Sequence, residues 1–204
     1  MEFRICFDHM DKDEIVISEI LIAAKSLFGK FGLKKTTIED ISAAAGKGKS
    51  TLYYYFPGKN EIFAAVVKDE MKSIIKNLRE TVNRVFSAED KLKAFLNFQS
   101  TAVLEFRSLY KVIFEDMIES RRMLLPLRLK YEQMQLGMIS EILLGGTQSG
   151  EFRELSAESI HKMSFVLIVA FRGLHFPLSI NPSEVQSHEY FDELIDMLIE
   201  GIGN

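Results

Sequence analysis

The chain is poor in residues that cross-link or interrupt a fold: its 204 residues include one cysteine, four prolines and no tryptophan. The single Cys6 excludes a disulfide framework and any metal cage built from cysteines, and it favours a reducing compartment. The most apolar run, residues 163–171, is far shorter than the roughly 20 residues that cross a bilayer. Residues 1–11 lack the apolar core of a secretion signal. We therefore expect a cytoplasmic protein with no membrane association.

Motifs for catalysis, metals or cofactors are also missing from the sequence. The four histidines include no His-x-x-x-His pair and no glutamate at ligand spacing. The glycine-rich segment 145–150 lacks the lysine of a phosphate-binding loop and follows a helix, so we predict a helix stop there. No Gly-x-Ser-x-Gly segment is present. We expect no enzyme activity, no metal and no cofactor.

Apolar residues recur at helical spacing and strand-like alternation is scarce, which predicts an all-α fold of about nine helices. Gly32 and Gly46 are expected to stop the first two helices, Thr36 or Thr37 to cap the second, and Ser87 to cap the fifth. The predicted helices cover about 17–31, 38–45, 49–56, 59–85, 88–106, 108–119, 126–144, 156–176 and 187–202.

Positive charge is concentrated near the N-terminus, although the net charge of the chain is −4. Residues 25–59 carry seven lysines against two acidic residues, a net charge of +5, whereas residues 60–204 carry −5. This asymmetry predicts a local anion-binding surface on an acidic scaffold. We expect a small N-terminal domain, residues 1–58, joined by a long helix to a larger helical domain, residues 59–204.

The second and third predicted helices are separated by Ala45-Gly46-Lys47-Gly48, which describes a helix-turn-helix. The second helix of such a pair fits the major groove of DNA. Residues 49–56 are rich in lysine, hydroxyl and phenol donors, which suit phosphates and base edges. Leu52 and Phe56 are four residues apart and are predicted to form the buried side of this helix.

Residues 20–63 resemble the DNA-binding domain of the tetracycline-repressor (TetR) family of bacterial transcriptional regulators. The resemblance is carried by three segments: Ile20 to Gly32, Thr36 to Gly46, and Ser50-Thr51-Leu52-Tyr53-Tyr54-Tyr55-Phe56-Pro57-Gly58-Lys59 with Glu61-Ile62-Phe63. It implies that Thr37, assisted by Thr36, and Lys59 hold phosphates. The same resemblance implies that bases or phosphates are met by Lys49, Ser50, Thr51, Tyr53 and Tyr54. Lys47 departs from the family pattern and is predicted to add a phosphate contact, and Gly48 is a weaker cap than serine.

The resemblance also implies that the C-terminal domain dimerises and encloses a small-molecule pocket, so that ligand binding shifts the joining helix and releases DNA. The predicted pocket residues are Phe95, Phe98, Tyr110, Phe114, Met117, Met134, Met138, Phe165 and Phe171. The predicted dimer-interface residues are Phe165, Ile168, Val169, Arg172, Leu194, Met197 and Leu198. Arg172 either pairs with an acidic residue across the dimer or binds an anionic ligand group.

The sequence thus predicts a homodimeric, ligand-responsive repressor that binds a palindromic operator in double-stranded DNA and is released by a small apolar or amphipathic effector. Two alternatives remain open at this point. One is an activator, or a regulator controlled by a partner protein, with the same fold. The other is an all-α binding module or enzyme that does not bind DNA.

Overall fold

A computed structural model describes residues 11–105, 119–180 and 187–203, and these residues form an all-α fold. No strand occurs within them beyond one isolated bridge between Phe152 and Gly203. The eight described helices are α1 Lys12–Lys35, α2 Ile38–Ala44, α3 Lys49–Tyr55, α4 Lys59–Asn83, α5 Ala88–Glu105, α6 Glu119–Ser149, α7 Ala157–Ile180 and α8 Ser187–Ile202. The helix predicted at 108–119 lies outside the described residues except for its last residue. None of the described helices is long and apolar enough to cross a membrane.

The chain divides into two compact units, and the division falls inside α4. The described part of the first unit is residues 11–70 and 119–123, and that of the second is 71–105, 124–180 and 187–203. The first unit extends past residue 58 because the first turns of α4 belong to its core. Ile62 and Phe63 are fully buried, and the Phe63 ring meets Phe28 edge-on at 5.2 Å.

The first helix begins earlier than the apolar stripe predicted, because Asp11 caps it. The Asp11 carboxylate accepts a hydrogen bond from Lys12 N–H at 2.6 Å, and Glu14 completes a reciprocal capping box. The helical path is interrupted at Gly32, whose φ of 82° lies in the left-handed region that favours glycine. The predicted stop at Gly32 is therefore observed.

The second unit is built around one apolar core to which α4, α5, α6, α7 and α8 all contribute. Ser87 caps α5 as predicted, accepting a hydrogen bond from Asp90 N–H at 3.0 Å. The Glu151 carboxylate, from the segment after α6, adds a second cap by accepting from Ala88 N–H at 2.7 Å. A carboxylate at this helix start also complements the helix dipole.

The predicted limits of α6 and α7 are wrong. Pro126 lies inside α6 rather than in its first turn, and the helix continues through Gly145 and Gly146. It ends at Ser149, before Gly150, whose φ is 79°. Helix α7 likewise continues past Pro177 to Ile180. The local signals predicted a start at Pro126 and stops at Gly145 and Pro177, and the two helices run through all three positions.

Gly146 is required because another residue packs directly on its backbone. A methyl group added at Gly146 would lie 2.1 Å from the buried Phe152 ring, while Gly137, exposed in the same helix, has open space around it. We expect Gly146→Ala to destabilise the protein by about 1–3 kcal/mol through overpacking. The matched Gly137→Ala should stabilise it by about 0.5–1 kcal/mol, because glycine in a helix interior costs entropy. Urea unfolding of both variants measures the two values, and equal effects of the same sign would contradict this packing.

Candidate nucleic-acid interface

The turn between α2 and α3 is fixed by hydrogen bonds that only a glycine accommodates easily. Gly46 has a φ of 63°. Lys47 N–H donates to the Ser42 carbonyl at 3.0 Å, and Gly46 N–H donates to the Ala43 carbonyl at 3.2 Å. This pair of hydrogen bonds is a Schellman motif. It satisfies the free carbonyls at the end of α2 and redirects the chain into α3. The predicted helix-turn-helix is present.

Helix α3 presents a polar and aromatic face to solvent. Leu52 is fully buried, whereas Ser50 is exposed and the side chains of Tyr53 and Tyr54 are 55% and 78% exposed. Thr51 is half-buried. These are the side chains that the resemblance placed against DNA, and the helix leaves them accessible for such contacts.

Thr37 caps α2 through a reciprocal pair of contacts with Asp40. Its hydroxyl accepts from Asp40 N–H at 3.1 Å and donates to the Asp40 carboxylate at 2.7 Å. The hydroxyl contact, together with a hydrogen bond that the carboxylate accepts from Thr37 N–H at 2.9 Å, holds the pKa of Asp40 below its usual range. Thr37 is exposed, but its hydroxyl proton is donated to Asp40, and its phosphate contact stays a prediction.

Two of the predicted phosphate ligands donate hydrogen bonds to backbone carbonyls within the protein. Thr36 is 1% exposed, and its hydroxyl donates to the Gly32 carbonyl at 2.8 Å. The Lys59 ammonium donates to the carbonyl of Thr36 at 2.8 Å and to that of Lys34 at 3.4 Å. The structure therefore corrects the prediction for Thr36, whose hydroxyl is out of reach of a phosphate. Lys59 ties the start of α4 to the end of α1, and its phosphate contact stays a prediction because the side chain is only half-buried.

Two lysines at the start of α3 are paired with glutamates of other helices. Lys47 contacts Glu19 of α1 at 2.5 Å, and Lys49 contacts Glu39 of α2. The contact with Lys49 is the main cause that lowers the pKa of Glu39. These carboxylate partners are not evident from the sequence, because Glu19 is 28 positions from Lys47 and Glu39 belongs to a different helix from Lys49.

Tyr55 makes a further contact that the sequence did not predict, a hydrogen bond that joins α3 to α1. Its hydroxyl donates to the Asp13 carboxylate at 2.6 Å, although the two residues are 42 positions apart. This hydrogen bond raises the pKa of Tyr55 to about 12. The Tyr54 ring packs edge-on against Tyr55 at 4.9 Å. The contact chain from Asp13 to Tyr54 therefore restrains one exposed aromatic side chain of α3.

The predicted pocket residues are not gathered at one cavity in the described part of the chain. Phe95 is buried in the core of the second unit, and Phe98 and Met134 pack against that core. Phe165 is 52% exposed, which corrects its placement in a pocket. Tyr110, Phe114 and Met117 lie outside the described residues, as does the side chain of Phe171.

Among the predicted pocket residues, Met138 lines a cleft in the described part of the second unit. The cleft has a volume of about 400 Å³ and lies between α4, α5 and α6. Its floor is apolar, with Val82, Met138 and Ile142 all buried, and cationic and acidic groups stand around it. The complete lining is Arg79, Val82, Asn83, Lys91, Met138, Glu141, Ile142 and Gly145.

Exposed apolar side chains lie on α7 and α8, where the dimer interface was predicted. Phe165, Val166 and Met197 are 52%, 61% and 67% exposed. Ile168 is 5% exposed within the core, which corrects its assignment to an interface. The remaining predicted positions are half-buried (Val169 and Leu198) or have side chains outside the described set (Arg172 and Leu194). Across the described ranges no group of three or more His, Cys, Asp or Glu side chains is placed to hold a metal ion.

Comparison with known proteins agrees with the helix-turn-helix geometry. Residues 20–66 match the family described as bacterial regulatory proteins, tetR family. The fatty acid metabolism regulator protein of Bacillus subtilis is 27% identical over 139 residues, which cover 67% of this chain and 70% of that protein. The HTH-type transcriptional repressor KstR2 of Mycobacterium tuberculosis is 26% identical over 149 residues, covering 71% of this chain and 73% of that one.

A solved structure has a similar fold. The transcriptional regulator FadR from Bacillus subtilis, in complex with stearoyl-CoA, superposes with a TM-score of 0.68 at 20% identity, covering 91% of this chain and 98% of that chain. At this identity the likeness establishes the fold. The relatives named here are transcriptional regulators.

Proposed function

Because this chain belongs to the TetR family of bacterial transcriptional regulators, we propose that it is a homodimeric repressor whose α3 binds a palindromic operator and whose release is triggered by an amphipathic acyl effector. The observation that carries this proposal is the exposed face of α3. Ser50, Tyr53 and Tyr54 project from a helix that the Gly46 turn holds against α2. A helix presented in this way enters the major groove and contacts base edges.

The charge distribution supports the DNA-binding surface. Residues 25–59 carry a net charge of +5, and residues 60–204 carry −5. The acidic remainder repels the phosphate backbone, so a duplex is drawn to the basic segment in particular. The basic segment contains both helices of the helix-turn-helix.

The exposed apolar side chains of the second unit support dimerisation. Phe165 and Val166 on α7 and Met197 on α8 are each more than half exposed. Apolar groups in such positions favour burial against a second copy of the chain. A symmetric dimer would present two copies of α3, and their spacing on DNA would be one helical turn, about 34–36 Å.

The DNA-binding function is tested by fluorescence anisotropy with duplexes from the region beside the gene and with scrambled duplexes of equal length. We expect a dissociation constant of about 10⁻⁸ M or lower for one native duplex and about 10⁻⁴–10⁻⁶ M for scrambled DNA at physiological salt. Equal affinities would overturn the proposal and favour an all-α binding module. Repression is then separated from activation by the direction in which a reporter responds to the protein.

The effector class is proposed from the relatives and from the composition of the chain. One relative is named as a regulator of fatty acid metabolism, and the FadR structure contains stearoyl-CoA. This chain has 16 phenylalanines and nine methionines, which form soft interiors suited to acyl chains. In the cleft of the second unit, Arg79 and Lys91 stand beside an apolar floor. We place the anionic end of the effector at these two cations.

Stearoyl-CoA is expected to weaken operator binding by about 5- to 150-fold, the range of a typical allosteric coupling. Anisotropy titration of the protein–operator complex measures this change, and CoA without an acyl chain serves as the control. In the double variant Arg79→Ala/Lys91→Ala, release of the operator should need a higher concentration of stearoyl-CoA. Without stearoyl-CoA, the affinity of this variant for the operator should be unchanged. Lys72→Ala, an exposed lysine on α4 outside the cleft, is the matched control. Release of the operator by CoA alone would contradict the proposed effector class. Identical release in the Arg79/Lys91 variant and in the Lys72 variant would contradict the placement of the effector in the cleft.

A further inference from the structure

The two lysines at the start of α3 are each held by a carboxylate from a different helix. Lys47 pairs with Glu19 of α1 at 2.5 Å, and Lys49 pairs with Glu39 of α2. The side chains of Lys49 and Glu39 are 55% and 57% exposed, so solvent and other anions reach this pair freely. Lys49, which the resemblance places against bases or phosphates, and Lys47, which is predicted to add a phosphate contact, are therefore already paired with carboxylates within the protein.

A DNA phosphate and a glutamate carboxylate compete for the same ammonium group. Exposed ion pairs contribute little net stability, so a phosphate can displace the glutamate. The displaced carboxylate then remains close to the phosphate backbone, and like charges repel. Each glutamate thus opposes DNA binding twice, once through the ion pair that is lost and once through the repulsion that remains. Neither effect depends on the base sequence.

We propose that Glu39 and Glu19 are intramolecular competitors of DNA phosphate that set the overall affinity of this protein for DNA. The inference rests on the proposed operator-binding function. By lowering affinity for all duplexes, the two carboxylates keep the protein off random DNA, while base contacts from α3 retain it at the operator. The residues act through Lys49 and Lys47 and are not base-contacting groups.

The test measures operator and scrambled-duplex affinities of Glu39→Gln by anisotropy at fixed salt. We expect both affinities to increase about 2- to 5-fold, with their ratio unchanged. Glu61→Gln, an exposed glutamate at the start of α4, is the matched control and should change both by less than about 1.5-fold. In a Lys49→Met background the gain from Glu39→Gln should become smaller, because the ion pair is already absent and only the repulsion between carboxylate and phosphate is relieved. Glu19→Gln should change affinity in the same direction with a smaller gain, because the side chain of its partner Lys47 is only 26% exposed, and Lys47→Met is the corresponding background.

Three results would overturn the inference. A loss of operator affinity alone would make Glu39 a base-contacting residue. A gain of the same size without Lys49 would reduce the role of Glu39 to general charge, and no gain at all in the wild-type background would exclude the competition. Thermal melts confirm that each variant is folded. If the wild-type protein does not prefer the operator to scrambled DNA, the proposed function fails. If it does prefer the operator and the glutamate variants change nothing, only this inference fails.

Discussion

Replacing Phe28 with alanine is expected to destabilise the first unit by about 3–5 kcal/mol, the usual range for removing a buried phenylalanine. The Phe28 ring is fully buried, and Phe63 of α4 packs edge-on against it. Alanine would leave a cavity between α1 and α4 and remove an aromatic pair. Because α2 packs on α1 and α3 packs on α2, loss of this contact should also disorder the DNA-binding surface.

Urea unfolding followed by far-ultraviolet circular dichroism measures the effect of Phe28→Ala. The matched control is Phe86→Ala, because Phe86 is 94% exposed and its truncation removes little buried surface. The Phe86 variant should unfold like the wild-type protein. If both variants were equally stable, the packing between α1 and α4 would not hold the first unit together.

The second large effect is expected at Tyr54, whose side chain is 78% exposed on α3. Tyr54→Ala should weaken operator binding by about 1–3 kcal/mol, about 5- to 150-fold, because a contact within each half-site is lost. Binding to scrambled DNA should change much less, since it depends on phosphates rather than on base edges. Anisotropy with both duplexes measures the difference.

Tyr54→Phe separates the two contributions of this side chain. If the ring contacts thymine methyl groups, phenylalanine retains operator affinity; if the hydroxyl holds a phosphate, phenylalanine loses it for all duplexes equally. Equal losses on operator and scrambled DNA in Tyr54→Ala would reject a role in sequence recognition. The edge-on contact with Tyr55 restrains Tyr54 before DNA arrives, which reduces the entropy lost on binding.

The features of the DNA-binding region that the sequence predicts are local ones. A threonine followed three residues later by an acid predicts a cap at Thr36 or Thr37, of which the structure uses Thr37, and a glycine after a short apolar helix predicts the turn at Gly46. The buried position of Leu52 follows from helical spacing. Each of these depends on residues within one turn of one another, and each is present in the structure.

Features that depend on tertiary contacts were not predictable in this way. Thr36 and Lys59 are attractive phosphate ligands by residue type, but the fold turns both toward backbone carbonyls. By residue type, Gly146 predicts the end of a helix. In the structure it lies inside α6, and the Phe152 ring from the following segment packs against its backbone. Phe165 is as apolar as a pocket residue, yet the fold places it at the surface. Residue type alone does not distinguish these environments.

The central claim is that two copies of α3 bind adjacent major grooves, and selection from a random duplex library by the full-length protein tests it most directly. Sequencing of the retained duplexes should show an inverted repeat whose half-sites are centred about 10–10.5 base pairs apart, or a multiple of that spacing. Inserting about five base pairs between the half-sites should weaken binding sharply, because it turns one half-site to the opposite face of the duplex. Retention of duplexes with no common sequence, or of a single half-site that tolerates the insertion, would contradict the claim.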